Sequence, residues 1–192
     1  MPNKIKYGLK NAHWAKCTVA ADGTATYQTP EAWPGSVSLS MDAQGGVTIF
    51  RADNMDYWTG AANNGYQGDF ESALVPDSFR EYALGEYVDT NDLHVEEVTG
   101  TSNYFAFMFQ FEGDANNTRH VLYKCTATRP SVSGQTTEAE EITPATEALQ
   151  FTAGAIHVAS IDKDVVKARC YEGDSKYDTF FETVTLPTAA KP

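Results

Sequence analysis

The sequence predicts a mainly β protein, and two observations lead to this prediction. Apolar and polar residues alternate with a period of two in several segments, which is the pattern of strands that bury one face. Turn signals rich in Gly, Asn and Asp separate those segments. With 192 residues, of which 42% are hydrophobic, the chain suits a single domain spanning 1–192, because two independent domains would be small.

The first predicted strands lie in the N-terminal half of the chain, after an N-terminal arm at residues 1–12. Their inward positions are Val37, Leu39 and Met41, then Val47, Ile49 and Phe50 after the Gly45–Gly46 turn signal, then Phe70, Ser72 and Leu74. In the third of these strands the intervening Asp69 and Glu71 fall on the solvent side.

The strongest strand signal is the segment 105–111, in which every odd position is Phe. Four Phe side chains at strand spacing form one aromatic stripe, and they supply most of the apolar area that one face of a sheet must bury. Beyond the turn signal at 113–117, Val121, Tyr123 and Cys125 alternate in the same way, which predicts a hairpin with the Phe strand. Later strands are predicted at Leu149–Ala153 and, after a polar turn at 162–164, at Val165–Tyr171.

Two segments have helical signals. Pro76–Gly85 begins with Asp77 as a candidate N-cap and ends with a glycine, which predicts a short helix. Lys176–Thr183 has apolar residues at helical spacing, so we expect a second helix that Pro187 ends. The tail at 187–192 is expected to be loose.

Two further segments are predicted to be irregular. The first, Ala52–Gly65, carries the exposed-looking aromatics Tyr57 and Trp58 and belongs to an extended loop at 42–65. The second, Pro130–Thr143, is rich in Ser, Thr and Glu. Long loops within a compact domain are usually functional, and aromatic residues in them indicate contact with another chain.

The overall charge restricts the classes of partner. The chain has 14 Lys and Arg residues against 26 Asp and Glu residues, giving a net charge of −12, so most of its surface repels nucleic acid. Three widely spaced cysteines without a CxxC pair argue against a disulfide framework and a zinc finger, and favour synthesis in a reducing cytoplasm. The N-terminus lacks the apolar core of a signal peptide, and the run Tyr104–Phe109 is too short to span a bilayer.

Candidate catalytic pairs have simpler structural explanations. Cys125 and His120 lie five residues apart on one predicted strand, so alternation places them on opposite faces. Asp69 and Glu71 are two apart, about 6.5 Å along a strand, which is within the range of glycosidase carboxylates. A solvated sheet face explains that pair better, because Phe70 assigns the opposite face to the core.

The candidate metal ligands also have a simpler structural explanation. Asp53, Asn54 and Asp56, or Asp162 and Asp164, offer oxygen ligands at short intervals, but neither segment has the calcium-loop pattern. Turns built from Asp and Asn are the better interpretation. The sequence therefore predicts no catalytic residue, no cofactor and no metal, and indicates that the protein is not an enzyme.

Several segments, taken in order along the chain, carry a family resemblance. They are Lys6–Asn11, Pro34–Ser40, Ala52–Asn54, Ala62–Asp69, Pro76–Gly85, Thr118–Tyr123 and Cys125–Ser131. Together they resemble the major tail proteins of siphophages of Gram-positive bacteria, of the phi13 type. The resemblance covers nearly the whole chain without a large insertion.

The resemblance implies two packed, roughly orthogonal β-sheets in a sandwich- or barrel-like tail-tube fold, flanked by a helix at Asp77–Leu84. It implies a structural virion protein that forms hexameric rings, which stack into the tail tube through which DNA passes. The partners would be further copies of the chain and the tape-measure, tail-tip and tail-terminator proteins, with DNA as a passenger that does not stick and no membrane. Assembly would take place in the cytoplasm of the host bacterium.

The resemblance also suggests which residues make the contacts of the tube. Candidate ring-to-ring contacts are Asp53, Asn54, Tyr57, Trp58, Asn63 and Asn64. Candidate lumen-facing residues are Asp69, Glu71 and Glu112, because an acidic channel repels DNA. A closed ring would also remove exposed sheet edges, which are an aggregation hazard in a monomer.

Two other functions remain open at this point. One is a monomeric β-sandwich module that binds a surface glycan by stacking sugars on Trp33, Tyr57 and Trp58. The other is acid-base hydrolysis by Asp69 and Glu71.

Overall fold

The computed structural model describes residues 7–132, 134, 136 and 144–190, and the described chain is mainly β, as predicted. The strands are β1 (Leu9–Val19), β2 (Ala25–Tyr27), β3 (Glu31–Ala32), β4 (Ser36–Ala43), β5 (Val47–Ala52), β6 (Met55–Ala61), β7 (Tyr66–Ser72), β8 (Tyr87–Val88), β9 (His94–Val95), β10 (Phe105–Phe111), β11 (Arg119–Ala127), β12 (Glu147–Gly154), β13 (Ile156–Val158), β14 (Lys163–Val165) and β15 (Lys167–Cys170).

Within the described residues, nine strands form one large antiparallel sheet. Its order is β2-β1-β10-β11-β12-β7-β4, with β3 added to β1 and β15 added to β11. The sheet curls until Cα atoms of β4 come within 8 Å of β1, which gives a barrel-like shape. Three separate hairpins are formed by β5 with β6, β8 with β9, and β13 with β14.

The inside of the curled sheet is filled by an aromatic core. Trp33 packs on Phe79 and Phe70 with ring centroids 4.6 and 5.0 Å apart, and Phe70 packs on Phe107 at 4.9 Å. Most of these contacts are edge-to-face or tilted, which is the favourable geometry for aromatic pairs. We refer to this cluster as the inner core, and the Phe stripe of β10 belongs to it as predicted.

A second apolar cluster, the outer core, covers the other face of the central strands. It receives the even positions of β10, among them Ala106 and Met108, so β10 is buried on both faces. Val121 and Tyr123 of β11 also point into it. The covering layer consists of the hairpin β13–β14 and the C-terminal segment 177–186. The sequence predicted a single buried face for β10, because Ala and Gln between the Phe residues do not reveal a second covering layer.

The predicted helix exists, with a different start. Asp77 is its first helical residue and Pro76 is the N-cap, without a side-chain capping bond. The α-helix Asp77–Phe79 continues as a π-helix, Arg80–Leu84, and ends at Gly85 in the left-handed conformation. Phe79, Ala83 and Leu84 of this helix are buried in the inner core.

The second helix, predicted at Lys176–Thr183, is wrong, because this segment is a series of turns. The amide N–H of Tyr177 donates to Asp174 O, and that of Phe180 donates to Tyr177 O, so these bonds span three residues, and the last turn adds a bond across four, from the N–H of Thr183 to Thr179 O. Turns repeated at this interval bury Tyr177, Phe180 and Val184 on one side. That spacing explains why the sequence resembled an amphipathic helix.

Other boundaries also differ from the prediction. The N-terminal arm ends earlier, since Leu9–Ala12 belong to β1, while Met1–Lys6 lie outside the described residues. The strand predicted at Val165–Tyr171 is divided between β14 and β15. Most of the Pro130–Thr143 segment is not described, and residues 187–190 of the tail have no regular secondary structure.

Five predicted inward residues are exposed, and three of them, Val47, Ile49 and Phe50, lie on β5, which is outside both cores. Val37 lies at a bulge between Ser36 and Ser38, which breaks the alternation of β4. Leu74 follows the end of β7 and is 71% exposed.

Replacing Phe79 with Ala tests the inner core. Its ring is fully buried between Trp33, Trp14 and Phe105, so we expect Phe79→Ala to lower the free energy of unfolding by about 3–5 kcal/mol in urea titrations. The control Leu74→Ala removes an exposed side chain and should change it by less than about 0.5 kcal/mol. A loss below about 1 kcal/mol for Phe79→Ala would contradict the packing.

Candidate functional site

The segment predicted as an extended loop at 42–65, irregular from Ala52 to Gly65, is mostly a β-hairpin, and its first strand, β5, is the strand predicted around Val47–Phe50. β5 and β6 pair antiparallel from Val47↔Ala61 to Ala52↔Met55, and a two-residue turn, Asp53–Asn54, connects them. Both turn residues have positive φ, 50° and 65°, as a type I′ turn requires. The interpretation of Asp53 and Asn54 as a turn is therefore confirmed.

This hairpin, which we call the ribbon, exposes an unusual number of large apolar side chains. All residues of β5 and β6 except Ala52 and Gly60 are exposed. The large apolar ones, each 51–70% exposed, are Val47, Ile49, Phe50, Met55, Tyr57 and Trp58. A two-stranded hairpin is at best marginally stable in water by itself, and contiguous exposed apolar surface usually marks a site of interaction.

The ribbon is apolar on both of its faces. Phe50 pairs directly with Trp58, and Val47 and Ile49 point to the opposite face because side chains alternate along a strand. The Trp58 ring lies over Gly60, where an added Cβ would be 2.2 Å from the ring. A single binding cleft would therefore cover only one of the two apolar faces.

The ribbon is anchored to the sheet by backbone hydrogen bonds. The amide N–H of Gln44 donates to Gly65 O, and that of Asn64 donates to Gln44 O. The Asn63 side chain accepts the N–H of Gly65 at 3.1 Å. The ribbon thus continues the β4–β7 pair outward from the sheet.

Four of the six predicted ring-to-ring residues lie on the ribbon, and the other two follow it directly. Asp53 and Asn54 form its tip, Tyr57 and Trp58 its middle, and Asn63 and Asn64 its root. Their role in contacts between rings stays a prediction. The predicted set lacks Val47, Ile49, Phe50 and Met55, although the Asp53–Asn54 turn flanked by apolar residues is a hairpin signal.

A second surface is the outward side of the sheet around β7, which we call the polar face. Asp69 and Glu71 point outward there, as predicted, while Phe70 between them enters the inner core. Its other members are Ser38, Ser40 and Asp42 on β4, Gln67 on β7, Ala148, Gln150 and Thr152 on β12, and Thr126 on β11. Its side chains are small or polar, and those on β4, on β12 and at Gln67 and Asp69 are exposed.

Glu71 is held on the polar face by two hydroxyl groups. Ser38 Oγ donates to Glu71 Oε2 at 2.9 Å, and Thr146 Oγ1 donates to Glu71 Oε1. The bonds from Thr146 and then Ser38 lower the pKa of the Glu71 carboxyl group below its ordinary value. A general acid of a glycosidase needs a raised pKa, so this arrangement does not suit Glu71 as the acid of the pair.

Glu112 does not join the other two predicted lumen residues. It follows the end of β10, where its carboxylate lies 3.6 Å from the ammonium group of Lys10. Since β10 and β7 are three strands apart in the sheet, about 14 Å separates them at normal strand spacing.

The remaining candidate sites are in different environments from those predicted. Trp33 is only 2% exposed and its indole N–H donates to Leu74 O, so it does not present a face to a sugar. Cys125 and His120 face the same side of β11 because a bulge shifts the alternation, which contradicts the predicted opposite faces. His120 nevertheless stacks on Phe109, and burial raises the pKa of the Cys125 thiol well above its ordinary value.

The other acidic turn also has a structural explanation. Asp162 lies in the turn between β13 and β14 with a φ of 51°, and Asp164 is in β14. Both carboxylates approach the His157 ring, at 3.8 and 3.1 Å. Within the described ranges no group of three His, Cys, Asp or Glu residues is placed to hold a metal ion, and no helix is long and apolar enough to cross a membrane.

Comparison with known proteins adds no assignment. No protein-family model matches the chain, and no curated protein matches it.

Removing the hydroxyl donor of Thr146 tests the environment of Glu71. In Thr146→Ala, the Glu71 pKa should rise towards its ordinary value, measured by NMR titration of the carboxyl group. Because the folded-state pKa is lowered, Glu71 stabilises the protein above the pKa of the unfolded chain, and this stabilisation is lost as the pH falls through the folded pKa. The wild-type protein should therefore be more stable than Thr146→Ala at neutral pH, and this difference should disappear in acid.

Thr152→Ala is the matched control for this titration. Thr152 lies on the same polar face but bonds to Thr126 rather than to Glu71, so its removal should leave the Glu71 pKa unchanged. Equal shifts in the two variants would show that the hydrogen bond from Thr146 is not the cause.

Proposed function

We propose that the protein is a structural subunit that assembles with copies of itself into hexameric rings, which stack into the tube of a phage tail. The observation that carries this proposal is the ribbon, β5 and β6, with its large apolar side chains exposed on both faces. The ordered motif resemblance to major tail proteins supplies the kind of assembly and the number of subunits in a ring.

Self-assembly accounts for the ribbon better than a soluble monomer does. Removing apolar surface from water contributes about 25 cal/mol for each Å², so six large side chains would stabilise an assembled state substantially. A neighbouring copy on each side would cover both faces, which one small ligand would not. In such heterologous contacts, two different surfaces of neighbouring copies meet. They form a ring when the rotation from one copy to the next returns to the first copy.

The polar face suits the inner wall of such a tube. It carries the acidic Asp42, Asp69 and Glu71 among serine, threonine and glutamine side chains. An acidic wall repels the phosphate backbone, so DNA passes without binding. A map of the assembled tube in which this face lies on the outside, or in which the channel is positively charged, would contradict this part of the proposal.

The further parts of the proposal rest on the resemblance. They place the protein in the tail of the virion, after assembly in the host cytoplasm. There it would contact the tape-measure, tail-tip and tail-terminator proteins. The structural role needs neither catalysis nor a cofactor.

The alternative is a monomeric module that binds a surface glycan. Tyr57 and Trp58 favour it, because both are exposed as sugar-stacking aromatics would be. Burial of Trp33 removes one of the three aromatics on which that hypothesis depended. A glycan module predicts a monomer at all concentrations, whereas the tube subunit predicts rings or tubules.

Polar substitutions in the ribbon test the proposed function. Purified wild-type protein should form rings or tubules in negative stain as its concentration rises, and Tyr57→Ser with Trp58→Ser should remain folded and monomeric. Both side chains are exposed, so their loss removes intermolecular burial without disturbing either core. Sedimentation velocity measures the size of the species, and circular dichroism checks the fold.

Tyr87→Ser is the control for this experiment. Tyr87 is 50% exposed but lies on β8, outside the ribbon, so this variant should assemble as the wild type does. Wild-type protein that stays monomeric at every concentration, or a ribbon double variant that assembles normally, would refute the proposed role.

A further inference from the structure

A small apolar cavity opens at the end of the barrel from which the ribbon extends. Its volume is about 240 Å³. Its wall is mainly apolar and includes Met41, Tyr66, Phe109, Phe111, His120 and Lys167. We call this cavity the mouth. Pockets for drug-sized ligands usually measure about 300–1,000 Å³, so the mouth suits a single large side chain better than such a ligand.

The rim of the mouth is basic, although the protein as a whole is strongly acidic. The exposed Lys167 reaches over the edge, with its ammonium group 4.1 Å from the centroid of the Tyr66 ring. Arg169, also exposed, pairs in register with His120, and cross-strand neighbours share a face of the sheet. A partner that combines an apolar side chain with carboxylates would fit this rim and wall.

The tip of the ribbon has this combination. Met55 is 62% exposed and follows the Asp53–Asn54 turn, and Asp56 comes next. Met is flexible and polarisable, and its sulfur makes favourable contacts with aromatic rings such as those of Phe109 and Phe111. Asp53 and Asp56 lie on either side of it, and because Arg51 pairs with Asp56 at 2.6 Å, these three residues leave a net charge of −1 at the tip.

Tip and mouth of one chain do not meet. The tip is exposed, and the seven residues of β6 span about 24 Å at the usual strand rise, which carries the tip away from its own barrel. The Ala43↔Tyr66 pair ends the β4–β7 ladder at the ribbon root, and Tyr66 also lines the mouth. Root and mouth are therefore at the same end of the barrel.

This placement determines which copy a tip can reach. Rotation about a ring axis keeps the same end of every subunit facing in one direction. A ribbon that leans sideways can then lie across the mouth of the next subunit in its own ring. When rings stack head to tail, the next ring presents the opposite end of its barrels to this tip, and that end has no mouth.

We propose that the ribbon tip of one copy, with Met55 between Asp53 and Asp56, docks into the basic-rimmed mouth of the neighbouring copy in the same ring. This inference rests on the proposed function, and it assigns the tip a contact within a ring where the sequence predicted a contact between rings. The contact is heterologous, since each subunit supplies a tip to one neighbour and receives a tip from the other.

Separate variants of tip and mouth test the docking. Met55→Ser should weaken assembly about tenfold or more, because burial of a Met side chain is lost. Lys167→Glu with Arg169→Glu should weaken it several-fold, because the rim then repels the aspartates. Both rim residues are exposed, so this variant keeps its fold, which circular dichroism checks. Sedimentation velocity over a concentration series measures assembly.

The controls match each change in chemistry and exposure. Leu93→Ser removes a side chain that is 59% exposed outside the ribbon. Lys163→Glu with Lys176→Glu reverses two exposed charges away from the mouth. Both control proteins should assemble as the wild type does.

Mixing the two variants distinguishes the docking mode. At a concentration where each is monomeric alone, an equal mixture of the Met55→Ser protein and the rim-reversed protein should give dimers, because one intact tip meets one intact mouth. The absence of dimers in the mixture, or dimers of the rim-reversed protein alone through tip-to-tip contact, would overturn the inference. So would normal assembly of the rim-reversed protein beside an assembling wild type, which leaves the proposed function standing. A wild type that never assembles overturns both.

Discussion

Burial of β10 on both of its faces is the constraint on which the rest of the structure depends. The Phe residues at odd positions fill the barrel, and Ala106 and Met108 at even positions support the second layer. A strand with two buried faces must pair on both edges, because its backbone groups have no access to water. It pairs with β1 on one side and with β11 on the other. The order of the central sheet follows from these pairings.

The two cores use nearly all of the large apolar side chains of the central strands, which makes the exposed ones informative. The ribbon and the polar face both grow from the β4–β7 pair, at the side of the sheet farthest from β10. Phe70 and Leu39 attach this pair to the inner core. The scaffold is thus well packed where the candidate surfaces begin, and the ribbon extends from it without contributing side chains to either core.

The sequence was most informative where one physical pattern dominated. The Phe stripe at 105–111, the outward Asp69 and Glu71 and the turn at Asp53–Asn54 were all predictable from alternation and turn chemistry. Prediction failed where tertiary packing overrides local pattern, as in the stacked turns around Phe180, whose burial spacing imitates a helix. Trp33 appeared exposed because the residues around it are polar or form turns, and only the curl of the sheet shows that it enters the barrel.

An apolar ribbon in a free monomer is an aggregation hazard, and its sequence limits that hazard. Arg51 is bonded to Asp56 at 2.6 Å, and Asp53 adds a further charge at the tip, so charges interrupt the apolar surface near the turn. Thr48 and Thr59 separate the large side chains along the strands. The net charge of −12 adds a general repulsion between copies. Random collisions between ribbons are therefore unfavourable, and only a surface with matching charge and an apolar recess overcomes the repulsion. In the proposed assembly, this combination would favour ordered contacts between identical subunits over nonspecific aggregation.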